Sequence, residues 1–415
     1  MKTTIDLKFS IEIENCNINN LTGILHEISP QINSNIINQI LEQFADFHMK
    51  EKELPFSCTC GCKQATWKTK KAKTTKILFG LLPLLLAQMQ IQCESCKKRY
   101  FITRQLLELA PRVKLSEKAK EAIALIGSFC SYRVSSTVMA LSGGYTISKN
   151  MVWKCVQEVG SKITFKVDLA GSQEFQADGT GIPINGIKKR GKELKVLIQK
   201  KVRGGIQIVN VTLGKYHSQW EDLFEPIIED LKRMKNPILT TDGDVSILKG
   251  IKDLKIIIQR CLWHIPHQAK YTMWQDDISR KSDDWFKVLG KLYNIIAISY
   301  TGEEEYVIAK IIEEKNNLMD ELITFCLHNK YMKTYQYLLN AKPNMFNALE
   351  NKYYCKSQSL VERVMKTVNA RIDVGKWGAS GALNVLKVRL AYYYNDFNVS
   401  FKLPNKISLK LKKGA

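Results

Sequence analysis

No stretch of this chain stays apolar long enough to cross a bilayer. The longest apolar run, Ile77 to Ile91, is interrupted by Gly80 and Pro83 and falls short of the roughly 20 residues a spanning helix needs. Met1-Lys2-Thr3-Thr4-Ile5-Asp6 offers no apolar core for a secretory signal, and no basic amphipathic helix stands out that would lie on a membrane surface. Acid is scarce relative to base: 40 Asp and Glu face 62 Lys and Arg, a formal charge of +22. That imbalance predicts a polyanionic partner, and with membrane disfavoured the expected one is nucleic acid. Eleven cysteines, five of them clustered, without an export signal predict a reducing, cytoplasmic compartment and thiols that serve metal rather than disulfides. With 415 residues, 45% of them apolar, the chain can form two or three domains, each with its own core.

Residues 175–261 carry the clearest pattern. Phe175-Gln176-Ala177-Asp178-Gly179-Thr180-Gly181 is an apolar entry into a glycine-loosened turn, which places Asp178 at or just inside a strand end. Glu193 to Val202 and Ile206 to Leu213 are Val- and Ile-rich and flank Arg203-Gly204-Gly205, so they predict a hairpin. Trp220, Leu223, Phe224, Ile227, Ile228 and Leu231 fall at helical spacing. Pro237 to Asp242 is a buried strand ending on a second carboxylate. A short helix from Ser246 and a strand over Lys255 to Ile258 follow. The predicted order is β-β-β-α-β-α-β, with acids on the first and fourth strands. Asp244 is a weaker candidate than Asp242, which directly ends its strand.

This order resembles the ribonuclease H-like core of the DDE transposases. Cys261-Leu262-Trp263-His264, a C-x-x-H just past the strand after the second Asp, resembles the mark of their Mutator-like superfamily. Gly375-Lys376-Trp377-Gly378 and Arg389 to Asn395 resemble the closing segment of such enzymes, and the likeness covers roughly residues 170 to 395. The resemblance implies an α/β catalytic core with a mixed five-stranded sheet at 169–415, interrupted by an all-helical insertion at 268–355. It implies a nucleoid-associated transposase that binds the double-stranded DNA of insertion-sequence ends and catalyses metal-dependent strand cleavage and transfer, as a homodimer or higher oligomer. Asp178, Asp242 and Glu362 would bind two Mg²⁺ or Mn²⁺ ions, with Asp178 between them, because phosphodiester chemistry needs one ion for the attacking oxygen and one for the leaving oxygen. Cys261 and His264 would shape the site or simply pack, and His267 is read as structural. Lys330, Lys333 and Lys342 of the insertion would be candidates for phosphate contacts.

The third acid has a competing explanation, since Ser359-x-x-Glu362 is also a capping box. Glu350 is the reserve. Upstream, residues 1–52 carry no chemistry beyond a helix predicted over Ile32 to Phe47. Residues 53–110 form a zinc-ribbon-like segment: Cys93 and Cys96 have metal-binding C-x-x-C spacing, while Cys58, Cys60 and Cys62 sit at alternate positions. The set Cys60, Cys62, Cys93 and Cys96 is favoured, Cys58 is open as a substitute for Cys60, and unligated core thiols are the alternative. In residues 111–168, Val134, Val138 and Leu141 predict one helix, Ser142-Gly143-Gly144-Tyr145 a turn, and Ser148 the N-cap of a second. A helix-turn-helix would put Lys149, Asn150, Lys154 and Gln157 in a major groove, although any small helical domain has the same outline. Two other functions use the same residues: a domesticated DNA-binding protein that does not cleave, and a ribonuclease H-like nuclease or resolvase.

Overall fold

The computed structural model describes residues 18–397, apart from 52–53, 55, 71–73, 80, 110–111, 144, 166, 170–171, 187–191, 202–203, 299–301 and 354–358. Gly144 and Arg203 of the two expected turns lie outside the described residues, as do residues 1–17 and 398–415. The chain divides into two compact units between Val159 and Gly160. Among the described residues no helix is long and apolar enough to cross a membrane.

The first unit begins with α1 (Ile18–Lys50), longer than the expected helix and continuous through Pro30. The apolar run noted above folds back on itself: it supplies the end of β2 (Thr74–Phe79), all of β3 (Leu82–Ala87) and the start of β4 (Gln90–Cys93). Strands β2 and β3 form a hairpin, and β1 (Ala65–Thr69), β4 and β5 (Arg99–Phe101) an antiparallel sheet. Ile77, Leu84, Leu86 and Ile91 point inward against Leu41 and Ala45 of α1, so strand alternation buries what a membrane helix would expose. A short α2 (Ile102–Leu106) leads to α3 (Glu117–Phe129), α4 (Tyr132–Gly143) and α5 (Lys149–Lys162). Ser148 caps α5 as expected, its Oγ accepting from Met151 N at 3.2 Å. Helix α4 forms where the sequence predicts it but with the opposite face inward. Ser135 and Met139 are buried, while Val134, Val138 and Leu141 are exposed.

The second unit is built on a five-stranded sheet. Strands β6 (Glu174–Ile182), β7 (Lys192–Lys200) and β8 (Ile206–Gly214) form an antiparallel meander. The chain then crosses through α6 (Glu221–Phe224), a 3₁₀ turn at 225–227 and α7 (Ile228–Arg233) to β9 (Ile238–Thr241), which pairs parallel with β6. After α8 (Val245–Gly250) comes β10 (Ile257–Arg260), two residues later than expected, parallel to β9 in the register Ile257↔Ile238. The spatial order is β10-β9-β6-β7-β8. The single helix expected over 220–231 is broken at Pro226, which cannot donate to the preceding turn. Its apolar stripe survives the break, and Trp220, Leu223, Phe224, Ile227 and Leu231 pack on Phe175, Ala177, Leu197, Val209 and Leu239 of the sheet.

Between β10 and the closing helices lie α9 (His264–Gln275), α10 (Asp283–Ile296), α11 (Glu305–His328), α12 (Met332–Ala341) and α13 (Asn347–Glu350). They share a core that also includes Ile238 of β9, and to it α10 gives Trp285, Val288, Leu289, Leu292, Ile295 and Ile296, one stripe at helical spacing. Then α14 (Leu360–Ile372) packs on β6 and β7 and α15 (Ala379–Tyr394) on β8, so helices cover both faces of the sheet. Arg389 and Trp377 of the closing segment are structural: Arg389 Nε donates to Thr367 O at 2.9 Å and Trp377 Nε1 to Ile372 O at 2.9 Å.

If the insertion packs around this core, Leu292→Ala should destabilise it by about 2–5 kcal/mol through the cavity it leaves. The exposed Phe286→Ala should fall within about 0.5 kcal/mol of the parent. Urea unfolding of both variants measures the contrast, and equal effects would contradict this packing.

Candidate active site and metal centre

Strand alternation sets the geometry of the acids. Phe175 and Ala177 point into the core under α6 and α7, so Gln176, Asp178 and Thr180 point to the other face, toward α14. Each meets that helix or its start. Gln176 Oε1 accepts from Ser359 Oγ at 3.2 Å and Val361 N at 3.0 Å, and Thr180 Oγ1 lies 3.4 Å from Asn369 Oδ1. Between them Asp178, buried at 7% exposure, approaches Glu362 in the first turn of α14. Glu362 is not a capping residue here: the Ser359 hydroxyl is turned to Gln176, and Glu362 Oε1 pairs with His264 Nε2 at 3.2 Å. Donor atoms of Asp178, His264 and Glu362 all lie within 4.8 Å of one another.

Asp242 directly follows β9, the parallel neighbour of β6, and shares with Asp178 a cleft of about 370 Å³ that Glu193, His217 and Asp244 also line. A tight turn holds it, with Gly243 at φ +87° and Asp244 N donating to Asp242 Oδ1 at 2.9 Å. A Cβ at Gly243 would fall 1.0 Å from Arg260 Nη1, so only glycine lets the Arg260 guanidinium lie against this turn. Asp244 is otherwise engaged: it caps α8 through Ser246 N at 2.8 Å and meets His217 Nδ1 at 2.7 Å. Glu350, the reserve acid, is exposed at the end of α13 and is not in the Asp178 group.

Burial, with Asp242 and Glu362 as like charges, raises the Asp178 carboxyl to about 7, against the pull of His264 and the Gly179 N–H. Burial alone would lower His264. The Cys261 side chain, Glu362 and Asp178 outweigh it and lift the imidazole to about 10. A carboxylate so placed becomes more favourable with a cation beside it.

The C-x-x-H spacing has a mechanical reading. Cys261 N donates to Thr241 O at 2.7 Å, extending the β9–β10 ladder by one residue. His264 N donates to Cys261 O at 3.2 Å, closing the turn that starts α9. Three residues past the strand, the imidazole therefore reaches Glu362. His267 is structural, its Nδ1 2.8 Å from Trp263 O and its ring stacked on Trp263 at 4.0 Å.

Sequence reasoning missed Glu193, Lys195 and Arg260. Lys195 is fully buried, 3.5 Å from Glu193, donates to Lys215 O at 3.0 Å and to Ser218 O, and lies over the Trp220 ring. Its burial lowers its pKa and that of Glu193 rises, also through burial. Glu193 and Lys195 occupy β7, Lys-Glu-Leu-Lys-Val-Leu-Ile-Gln-Lys, where charges at the start of an apolar run read as the exposed edge of a strand and nothing local marks them as buried. Among the weaker candidates, Lys149, Asn150 and Lys154 lie on the exposed face of α5 and Gln157 is half-buried. In the insertion Lys342 is paired with Asp320 at 2.5 Å, while Lys330 and Lys333 are exposed.

In the first unit Cys58, Cys60, Cys93 and Cys96 come together, all four donor atoms within 4.8 Å. Cys58 Sγ lies 3.4 Å from Cys96 Sγ and Cys60 Sγ 3.7 Å from Cys93 Sγ. Those separations are far too long for disulfides and close to the roughly 3.8 Å edge of a tetrahedron with ~2.3 Å metal–sulfur bonds, so the four thiols could hold a metal such as zinc. The favoured sequence set differs in one member. Cys62 is turned to Gln64, whose N–H lies 3.3 Å from its sulfur, and Cys58 takes the fourth corner beside the Tyr100 hydroxyl at 2.9 Å. The reason is the turn: Gly61, at φ +82°, donates to Cys58 O at 2.8 Å and curls residues 58–61 so that Cys58 and Cys60 face the second pair. The Cys60 N–H first, then Tyr100, hold the Cys58 thiol down at about 5, against burial.

Purified protein should therefore carry about one zinc per chain, lost in Cys58→Ser and in Cys93→Ser with Cys96→Ser but kept in Cys62→Ser. Metal analysis of the three preparations decides between the two cysteine sets. Gly243→Ala should displace Arg260 or open the Asp242 turn, lowering the melting temperature by several degrees, about 1–3 kcal/mol; an unchanged melt would contradict the close packing. The chain matches no family model and no curated protein.

Proposed function

We propose that this chain is a DNA transposase of the DDE kind that its sequence resembles, cleaving and joining phosphodiesters with divalent metal. The observation that carries the reading is the meeting of Asp178, Glu362 and Asp242, from a central strand, a returning helix and the end of the adjacent parallel strand, across a helical insertion. The β-β-β-α-β-α-β order of a ribonuclease H-like core supports it, and so does a C-x-x-H whose His264 touches the third acid.

Mg²⁺ or Mn²⁺, when bound, supplies activation of the attacking oxygen and stabilisation of the leaving oxygen at phosphorus. Asp178 is the residue shared by both halves of the site, Asp242 completing one and Glu362 the other. His264 holds Glu362 toward Asp178, and the burial of Asp178 excludes water from all but the open cleft side. The formal charge of +22 supplies DNA affinity that does not depend on the acids. Lys97, Lys98 and Arg99, exposed beside Cys96, extend a basic edge from the cysteine cluster, which a zinc-ribbon role in DNA binding would use.

Asp178→Asn, Asp242→Asn and Glu362→Gln should each reduce cleavage and joining of a transposon-end duplex by about a thousandfold or more, with binding nearly intact. Glu362→Gln is decisive, because a helix-capping Glu would tolerate it; full strand transfer by that variant would overturn the assignment. Binding itself should weaken steeply with salt as phosphate counterions are released, and a salt-independent affinity would exclude phosphate contacts as its source.

A further inference from the structure

We propose that His264 is itself a metal ligand, so that Asp178, Glu362 and the His264 imidazole form one cation position and Asp178 with Asp242 a second, all-oxygen one. The inference rests on the reading above in taking the acids as metal ligands, and adds that the two positions differ in chemistry.

Three observations carry it. The donor atoms of Asp178, His264 and Glu362 lie within 4.8 Å of one another, and His264 Nε2 is 3.2 Å from Glu362 Oε1. In a shell with bonds of roughly 2.1 Å, adjacent donors are about 3 Å apart and opposite ones about 4.2 Å, so the group needs only a small contraction to surround an ion. Asp242 is not in this group; it meets Asp178 across the open cleft, on the side of Glu193 and Asp244. The ring is also held for the purpose: the hydrogen-bonded turn from Cys261 aims it, and Trp263 packs edge-on at 4.9 Å and 89°. His267, the neighbouring imidazole, is occupied with Trp263 and does not enter the group.

An ion at the His264 position displaces the proton held between Nε2 and Glu362, leaving a neutral nitrogen donor beside two carboxylates. Mn²⁺ takes oxygen ligands as Mg²⁺ and Ca²⁺ do, but it opens the transition series whose affinity for nitrogen donors rises toward Cu²⁺, and it accepts an imidazole more readily than they do. The His264 position therefore selects Mn²⁺ over Mg²⁺, and the Asp242 position does not discriminate.

Mn²⁺ titration of the full chain, followed by electron paramagnetic resonance, tests this without any activity assay. The parent should bind two Mn²⁺ with ¹⁴N modulation from one coordinated imidazole. His264→Gln should abolish the ¹⁴N signal and weaken one of the two ions by at least about tenfold, while His267→Gln and Asp242→Asn should keep the ¹⁴N signal. Two Mn²⁺ bound by the parent without ¹⁴N modulation, or modulation that survives His264→Gln, would overturn the inference and leave His264 as a positioning residue for Glu362, with the acids' role standing. Absence of Mn²⁺ binding, or binding indifferent to Asp178→Asn, would overturn both this inference and the proposed function.

Discussion

Asp178 is a carboxylate in a central strand with almost no exposure, and an uncompensated charge there is expensive enough that its neighbours must answer for it. Within the protein the answer is incomplete. One N–H, from Gly179, reaches it directly at 2.8 Å, and His264 offers positive charge that it shares with Glu362. Two other acids, Asp242 and Glu362, make its position worse, and its pKa rises accordingly. A structural carboxylate would be surrounded by donors; this one is surrounded by further acids, an arrangement that a cation stabilises and hydrogen bonds alone do not.

Everything that brings those acids together is made by contacts remote in sequence. The parallel pairing of β9 with β6 sets Asp242 beside Asp178, because Gln176↔Thr240 fixes the register two residues before each acid. Glu362 is set by a different device: Gln176, one turn of strand alternation from Asp178, caps the start of α14 in place of Ser359. The insertion between them packs its helices into a buried core that also takes in Ile238 of β9, with Ile257 of β10 against it, so the insertion is anchored on the sheet edge. Gln259 ties the two together, donating to Met345 O at 2.7 Å and accepting from Ala348 N at 2.8 Å.

The buried Lys195–Glu193 pair next to the cleft follows the same logic on a smaller scale. Lys195 gives its protons to two backbone carbonyls and its charge to Glu193 and the Trp220 face, while Glu193 also accepts from His217 N at 3.3 Å. A hydrophobic pair would be as stable or more so. What the ionic pair does here is fix the loop after β8, and with it His217, against Asp244 at the mouth of the cleft.

The sequence by itself determined the succession of elements: the Val/Ile strands, the Ser148 cap and Asp242 at the end of its strand, since periodicity and turn chemistry act between near neighbours. Asp178, expected at or just inside a strand end, lies in the middle of β6, because Gly179 to Ile182 continue the ladder with β7 instead of turning. It determined that thiols would cluster and that Glu362 would begin a helix. Tertiary structure decided the rest. It chose which face of α4 is buried, because the stripe Val134, Val138 and Leu141 satisfies helical spacing on whichever side the neighbours do not take. It chose Cys58 over Cys62, because a positive-φ glycine, not residue spacing, aims the thiols. It turned Ser359-x-x-Glu362 from a capping box into a hydrogen bond to Gln176 and an ion pair with His264, two partners that no local pattern could supply, because each arrives from a strand end or helix start far away in the chain.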